Sequence, residues 1–146
     1  MLLIGLRNTT PQDLVEGSIL NLGEVYRRYD KKGSCGCRSF EANGNSVALQ
    51  SSGIYHLTAV ITFTAPAPGD VTFQLNENGV STVGAVSTTT VTTATTEVNN
   101  AVIDFYILVE SALVLNAINT LKNISIVNTG VDSTVTNVVV NIDKVV

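Results

Sequence analysis

From residue 38 onward the chain alternates apolar and polar positions with the two-residue period of half-buried strands. The longest such run is Ile54 to Thr64. It sets Tyr55, Leu57, Ala59, Ile61 and Phe63 on one face and Ile54, His56, Thr58, Val60 and Thr62 on the other. Val71, Phe73 and Leu75 mark the next strand, beyond a breaker at residues 65–70 that holds Pro66 and Pro68. Asn78-Gly79 then predicts a tight hairpin, because both residues tolerate positive φ. The run resumes from Val80 to Val91, weakened by Gly84, and the Thr-rich stretch 88–96 reads as an exposed strand with a turn near 95–100. Residues 101–109 predict a central strand, while residues 112–119 suit either a strand or a helical turn. Residues 121–127 and 135–146 predict the last two strands, with Asn128-Thr129-Gly130 turning between them. Thr and Val dominate throughout, and branching at the β-carbon favours pleated sheet over helix. The sum is all-β, about eight to ten antiparallel strands at the spacing of a sandwich or barrel.

The first residues read differently. Thr10 to Asp13 suits a capped helical turn, Ile19 to Leu22 a short strand, and Tyr26 to Ser34 a polar loop or partner-facing segment. Residues 1–37 are therefore expected to form an extended N-terminal arm that docks a partner, ahead of a β domain at 38–146. Charge sharpens the division. Residues 1–40 hold six of the eight Lys/Arg and carry net +2, whereas residues 41–146 carry net −6. The overall charge of −4 argues against binding nucleic acid through phosphates. With 45% hydrophobic residues and only 14% charged, the 146-residue chain has ample apolar surface for a core, so general disorder is excluded. The apolar runs fall well short of the ~20 residues of a membrane helix. The Met1–Leu6 start is too short for a signal sequence, and synthesis and assembly in a cytoplasm are expected.

Several segments in order carry a resemblance. Phe40 and Gly44-Asn45-Ser46-Val47-Ala48-Leu49 lead into Gly53-Ile54-Tyr55-His56-Leu57. Residues 71–79 follow, and the chain closes with Ile124-Ser125-Ile126-Val127-Asn128 and Val138-Val139-Val140-Asn141-Ile142. This order resembles the trimeric jelly roll shared by tumour necrosis factor and complement-type globular heads. It is most similar to the bacterial and phage versions on spore-surface fibres and on virion head fibres or decoration proteins. The resemblance covers about residues 38–146 and contains no catalytic signature. It implies a jelly-roll sandwich, a homotrimer, and a trimer core of aromatic and aliphatic side chains, for which Tyr55, Leu57, Phe105 and Ile107 fit best. The same four residues also fit an ordinary sandwich core.

Candidate chemistry is sparse. His56 stands alone on a strand, and the sequence supplies no catalytic motif, cofactor loop or paired carboxylates. No cofactor or metal is expected, and one histidine argues against a metal-dependent jelly-roll enzyme. Cys35-Gly36-Cys37 suits free thiols, bonds between chains or, with further ligands, a soft metal. Arg27, Arg28, Lys31 and Lys32 make a basic run that fits docking onto an acidic partner or a solvated loop. The resulting expectation is a non-enzymatic, homotrimeric virion-surface protein of a bacteriophage, a capsid decoration or head-fibre protein held by its arm to another virion protein. A receptor- or carbohydrate-binding knob, with a host surface glycan as partner, is the alternative. Neither nucleic acid nor membrane is an expected partner.

Overall fold

A computed structural model describes residues 2–30, 40–110 and 122–145. These form eleven strands: β1 (Leu2–Asn8), β2 (Gln12–Leu14), β3 (Glu24–Asp30), β4 (Phe40–Ala42), β5 (Val47–Leu49), β6 (Gly53–Thr64), β7 (Gly69–Glu77), β8 (Val80–Val91), β9 (Asn99–Val109), β10 (Lys122–Asn128) and β11 (Ser133–Lys144). The first sheet runs β3-β1-β11-β6-β9, with β2 also paired to β11; the second runs β4-β5-β10-β7-β8. Every pairing is antiparallel. The two sheets form a jelly-roll sandwich. Residues 31–39 and 111–121 lie outside the described residues, and with them Lys31, Lys32, Cys35, Cys37 and the ambiguous 112–119 segment.

The alternation seen in the sequence is the alternation of the sandwich. Odd residues of β6 point inward, and Tyr55, Leu57, Ala59, Ile61 and Phe63 are all buried. Val71, Phe73 and Leu75 oppose them from β7. Phe63 and Phe73 meet edge-on across the core, ring centroids 5.4 Å apart, the geometry that aromatic quadrupoles favour. The β7–β8 hairpin turns at Asn78 (φ 53°) and Gly79 (φ 79°), as Asn-Gly predicts for a primed turn. The side chain of Asn78 accepts a hydrogen bond from the Asn123 amide at 2.8 Å, which ties the turn to β10. After β10, buried Asn128 holds the next turn. Its Nδ2 donates to the carbonyls of Leu14 (3.2 Å) and Val131 (3.0 Å), and its Oδ1 accepts from the Gly130 amide (3.0 Å).

Several expectations need correction, among them the short strand at Ile19 to Leu22, where the chain makes only an isolated bridge from Ile19 to Val127. Residues 2–30 are part of the sandwich and not an arm outside it. Leu2, Ile4 and Leu6 alternate inward and are buried in the core, and β1 lies between β3 and β11. The stretch expected to be a helical turn contributes β2, and much of the expected polar loop is β3. Charge at Arg27 and Arg28 obscured the point that a strand at a sheet's margin needs only one apolar face. Residues 101–109 are also not central. They belong to β9, which pairs with β6 alone among the described residues and ends its sheet.

A candidate interface on the outer face of the first sheet

In a sheet, residues on neighbouring strands that stand opposite each other share a face. On the outer face of the first sheet one row reads Tyr29, Leu3, Asp143, His56, Tyr106 from β3 to β9. Beside it Ile54 pairs with Leu108, and two rows further along Val139, Val60 and Val102 stand abreast. On β9 all the outward residues from Val102 to Leu108 are exposed: Val102 53%, Tyr106 61% and Leu108 53%. Ile54 and Val145 border the same patch and are exposed as well. Val145 is held beside Ile54 by its amide, which donates to the Ile54 carbonyl at 2.7 Å.

A polar cluster lies within this apolar surround. The Nε2 of His56 sits 2.5 Å from Asp104 Oδ1, and its Nδ1 lies 3.6 Å from Asp143 Oδ1. The imidazole stacks on Tyr106 with centroids 4.8 Å apart. Both ring nitrogens face carboxylates, and the described residues place no hydroxyl nucleophile in hydrogen-bond contact with the ring. The cluster therefore has the orienting half of an acid–base site without a group to activate. What it does do is orient the imidazole against the Tyr106 ring.

On the β3 side, the Tyr26 ring covers Gly5, where a Cβ would come within 2.9 Å of the ring. Its hydroxyl donates to Asn141 Oδ1 at 3.1 Å. The guanidinium groups of Arg7 and Arg27 lie 5.3 and 5.8 Å from that ring's centroid, and Arg28 lies 4.7 Å from the Phe40 ring centroid. Arg27 and Arg28 are both exposed on β3, Arg27 on the outer side with Gly5 and Arg28 on the opposite side, over the Phe40 ring of the other sheet.

The four expected trimer-core residues sit elsewhere. Tyr55, Leu57 and Ile107 are inside the sandwich, with at most 1% of their surface exposed, and Phe105 is half-buried on the same inner side. The phenol of Tyr55 is satisfied there, donating to the Ser51 carbonyl at 2.7 Å. Side chains alternate with a period of two, so the exposed positions are the adjacent ones: Ile54, His56, Tyr106 and Leu108. Their burial fits the other reading of these residues, an ordinary sandwich core. The missed signal lies in β9, where Val102, Tyr106 and Leu108 alternate with Ala101, Ile103, Phe105, Ile107 and Val109. The same outer face also carries Asn100 and Asp104, and among the described residues β9 pairs with β6 alone.

The whole chain superimposes on solved jelly rolls. The globular domain of zebrafish complement 1qA matches with a TM-score of 0.65 at 6% identity, covering 100% of this chain and 98% of that one. The fold is that of the complement and tumour-necrosis-factor jelly rolls. Eiger TNF from S. frugiperda matches at 0.69 with 7% identity, over 100% and 94% of the two chains. PRD1 vertex protein P5 matches at 0.56 with 10% identity, over 100% of this chain and 74% of that one. These alignments include residues 2–30, in keeping with strands β1 to β3 as members of the sandwich. No protein-family model and no curated protein sequence matches the chain.

Proposed function

We propose that this chain is the subunit of a homotrimer, closed through the outer face of the first sheet, and that the trimer is a non-enzymatic structural protein of a bacteriophage virion surface. The observation that carries the trimer is the exposed apolar patch of Tyr106, Leu108 and Val102 on β9 and Ile54 on β6, β9 being the last strand of its sheet among the described residues. Apolar side chains of this size gain about 1.5–3 kcal/mol each when fully covered. An eleven-residue edge strand left bare would be a template for indiscriminate pairing. Closed symmetry covers both hazards at once. The virion role draws support from the fold shared with the PRD1 vertex protein and from the scarcity of reactive side chains on the described surface.

In this reading the trimer meets an underlying capsid protein through β3, where Arg27 and Arg28 stand out, with Lys31 and Lys32 continuing the basic run in sequence. Cys35 and Cys37 follow that run, where bonds between chains would tie neighbours together. The virion assignment is tested by labelling intact phage particles with an antibody against the purified protein. Surface labelling is expected, and particles that lack the chain in their protein inventory would refute the assignment. Reversing Arg27 and Arg28 to Glu is expected to reduce recovery of the protein on particles while leaving its own mass in solution unchanged. A knob that binds a receptor or glycan remains the second reading, favoured by a polar cleft at one end of the sandwich.

A further inference from the structure

A cleft of about 800 Å³ opens where β1 ends and β3 begins, away from the apolar patch. Its lining includes Arg7, Asn8, Thr10, Gln12, Asn21 and Glu24. The volume falls within the range of roughly 300–1,000 Å³ typical of small-ligand sites.

The cleft is built by side chains that hold backbone. Gln12 pairs both ways with Asn21: its Oε1 accepts from the Asn21 amide and its Nε2 donates to the Asn21 carbonyl, each at 2.9 Å. Asn8 Nδ2 donates to that same carbonyl at 3.0 Å, and Asn8 Oδ1 accepts from the Thr10 amide at 2.9 Å. Asn21 Oδ1 accepts from the Gly23 amide at 2.8 Å. At Gly23 (φ +80°) a Cβ would stand 2.0 Å from the Arg7 carbonyl oxygen, so β1 and β3 approach as only glycine allows. The site is therefore pre-organised, which lowers the ordering cost of binding.

This arrangement leaves a particular set of groups for a ligand. All three carboxamide oxygens already accept from backbone amides. What remains is a second N–H on Asn8 and on Gln12, the Nδ2 of Asn21, the threonine hydroxyls, the Arg7 fork and the Glu24 carboxylate. Among the described residues neither Arg7 nor Glu24 forms an ion pair. One cation and one anion cancel, which disfavours a highly charged ligand, and the lining has no aromatic platform for an apolar one. A polyhydroxylated neutral molecule matches both halves. Its vicinal oxygens accept from Arg7 and the carboxamide N–H groups, and a hydroxyl donates to Glu24.

We propose that this cleft is a saccharide-binding site, with Arg7 and Glu24 as its principal ligand-contacting residues. This does not rest on the trimeric reading. The test is an amide correlation spectrum of the full chain, titrated separately with glucose, galactose, rhamnose, N-acetylglucosamine and sodium sulfate into the tens of millimolar. At least one saccharide is expected to move the amide signals of residues 7–10, 12, 21–24 and 44 with a millimolar Kd. Arg7→Ala and Glu24→Gln are each expected to weaken it about tenfold, while a change at exposed Val83 outside the cleft, Val83→Ser, leaves it unchanged. The proposal is overturned if no saccharide moves these signals, if sulfate alone does, or if Arg7→Ala folds and binds as tightly as the parent. Should Arg7→Ala fail to fold, the parent's shift map and Glu24→Gln decide the matter.

Discussion

Tyr106 and Ile107 are neighbours in the chain and lie on opposite sides of a sheet, and their substitutions are expected to separate assembly from stability. Ile107 is fully buried, so Ile107→Ala should cost about 2–5 kcal/mol in denaturant unfolding. Tyr106 is mostly exposed, so Tyr106→Ser should leave the fold of the subunit intact and dissociate the trimer. Tyr55 gives a finer test. Its hydroxyl is the donor that satisfies the Ser51 carbonyl, and Tyr55→Phe should cost about 1 kcal/mol by the same unfolding measurement. That Tyr55, Leu57 and Ile107 are sandwich core has its cause at this scale. Periodicity tells which residues share a face, and on β9 Val102, Tyr106 and Leu108 share the outer face with Asn100 and Asp104, so the apolar content of the inner face differs from it only in degree. The neighbouring His56 and Asp104 were legible as single residues only. Their meeting depends on the β6–β9 register, which is a long-range fact.

Among the elements, the hairpins and long strands were the most legible, because they rest on local chemistry. Asn78-Gly79 makes its predicted turn, and Gly79→Ala is expected to destabilise the protein by about 1–2 kcal/mol in thermal unfolding, since φ 79° is unfavourable with a Cβ. The Thr-rich β8 is a true strand, bonded across to β7 through Thr72–Thr88 (3.0 Å) and Thr90–Asp70 (2.7 Å). The turn that follows is held by Glu97, whose carboxylate accepts from the amides of Thr93 (3.0 Å) and Thr92 (2.8 Å). Those backbone bonds, Thr93 first, stabilise the carboxylate and hold its pKa below the ordinary glutamate value. A lowered value means that its contribution is fully present above the ordinary glutamate pKa and is lost as pH falls through the lowered one. Amide exchange at Thr92 and Thr93 should therefore quicken in that acidic window, and Glu97→Gln should weaken the dependence. Strands β1 to β3 were illegible for a different reason. β1 carries three inward apolar residues, too few to announce themselves beside a basic run, and its place between β3 and β11 is set by pairing with the far end of the chain.

For the whole molecule, the correction to β1 changes what a deletion means. Removing residues 2–8 takes an interior strand out of the first sheet, so a truncated chain is expected to unfold. The larger claim concerns the covered face. Tyr106, Leu108, Val102 and Ile54 are exposed on one face of the first sheet, and in the proposed trimer a second and third copy cover them. The most direct test is the solution mass of the full chain by light scattering, alongside Leu108→Asp. The parent is expected at the mass of three chains and the variant, still folded, at that of one. A parent that remains a monomer at high concentration, or a Leu108→Asp variant that stays trimeric, would contradict closure through this face.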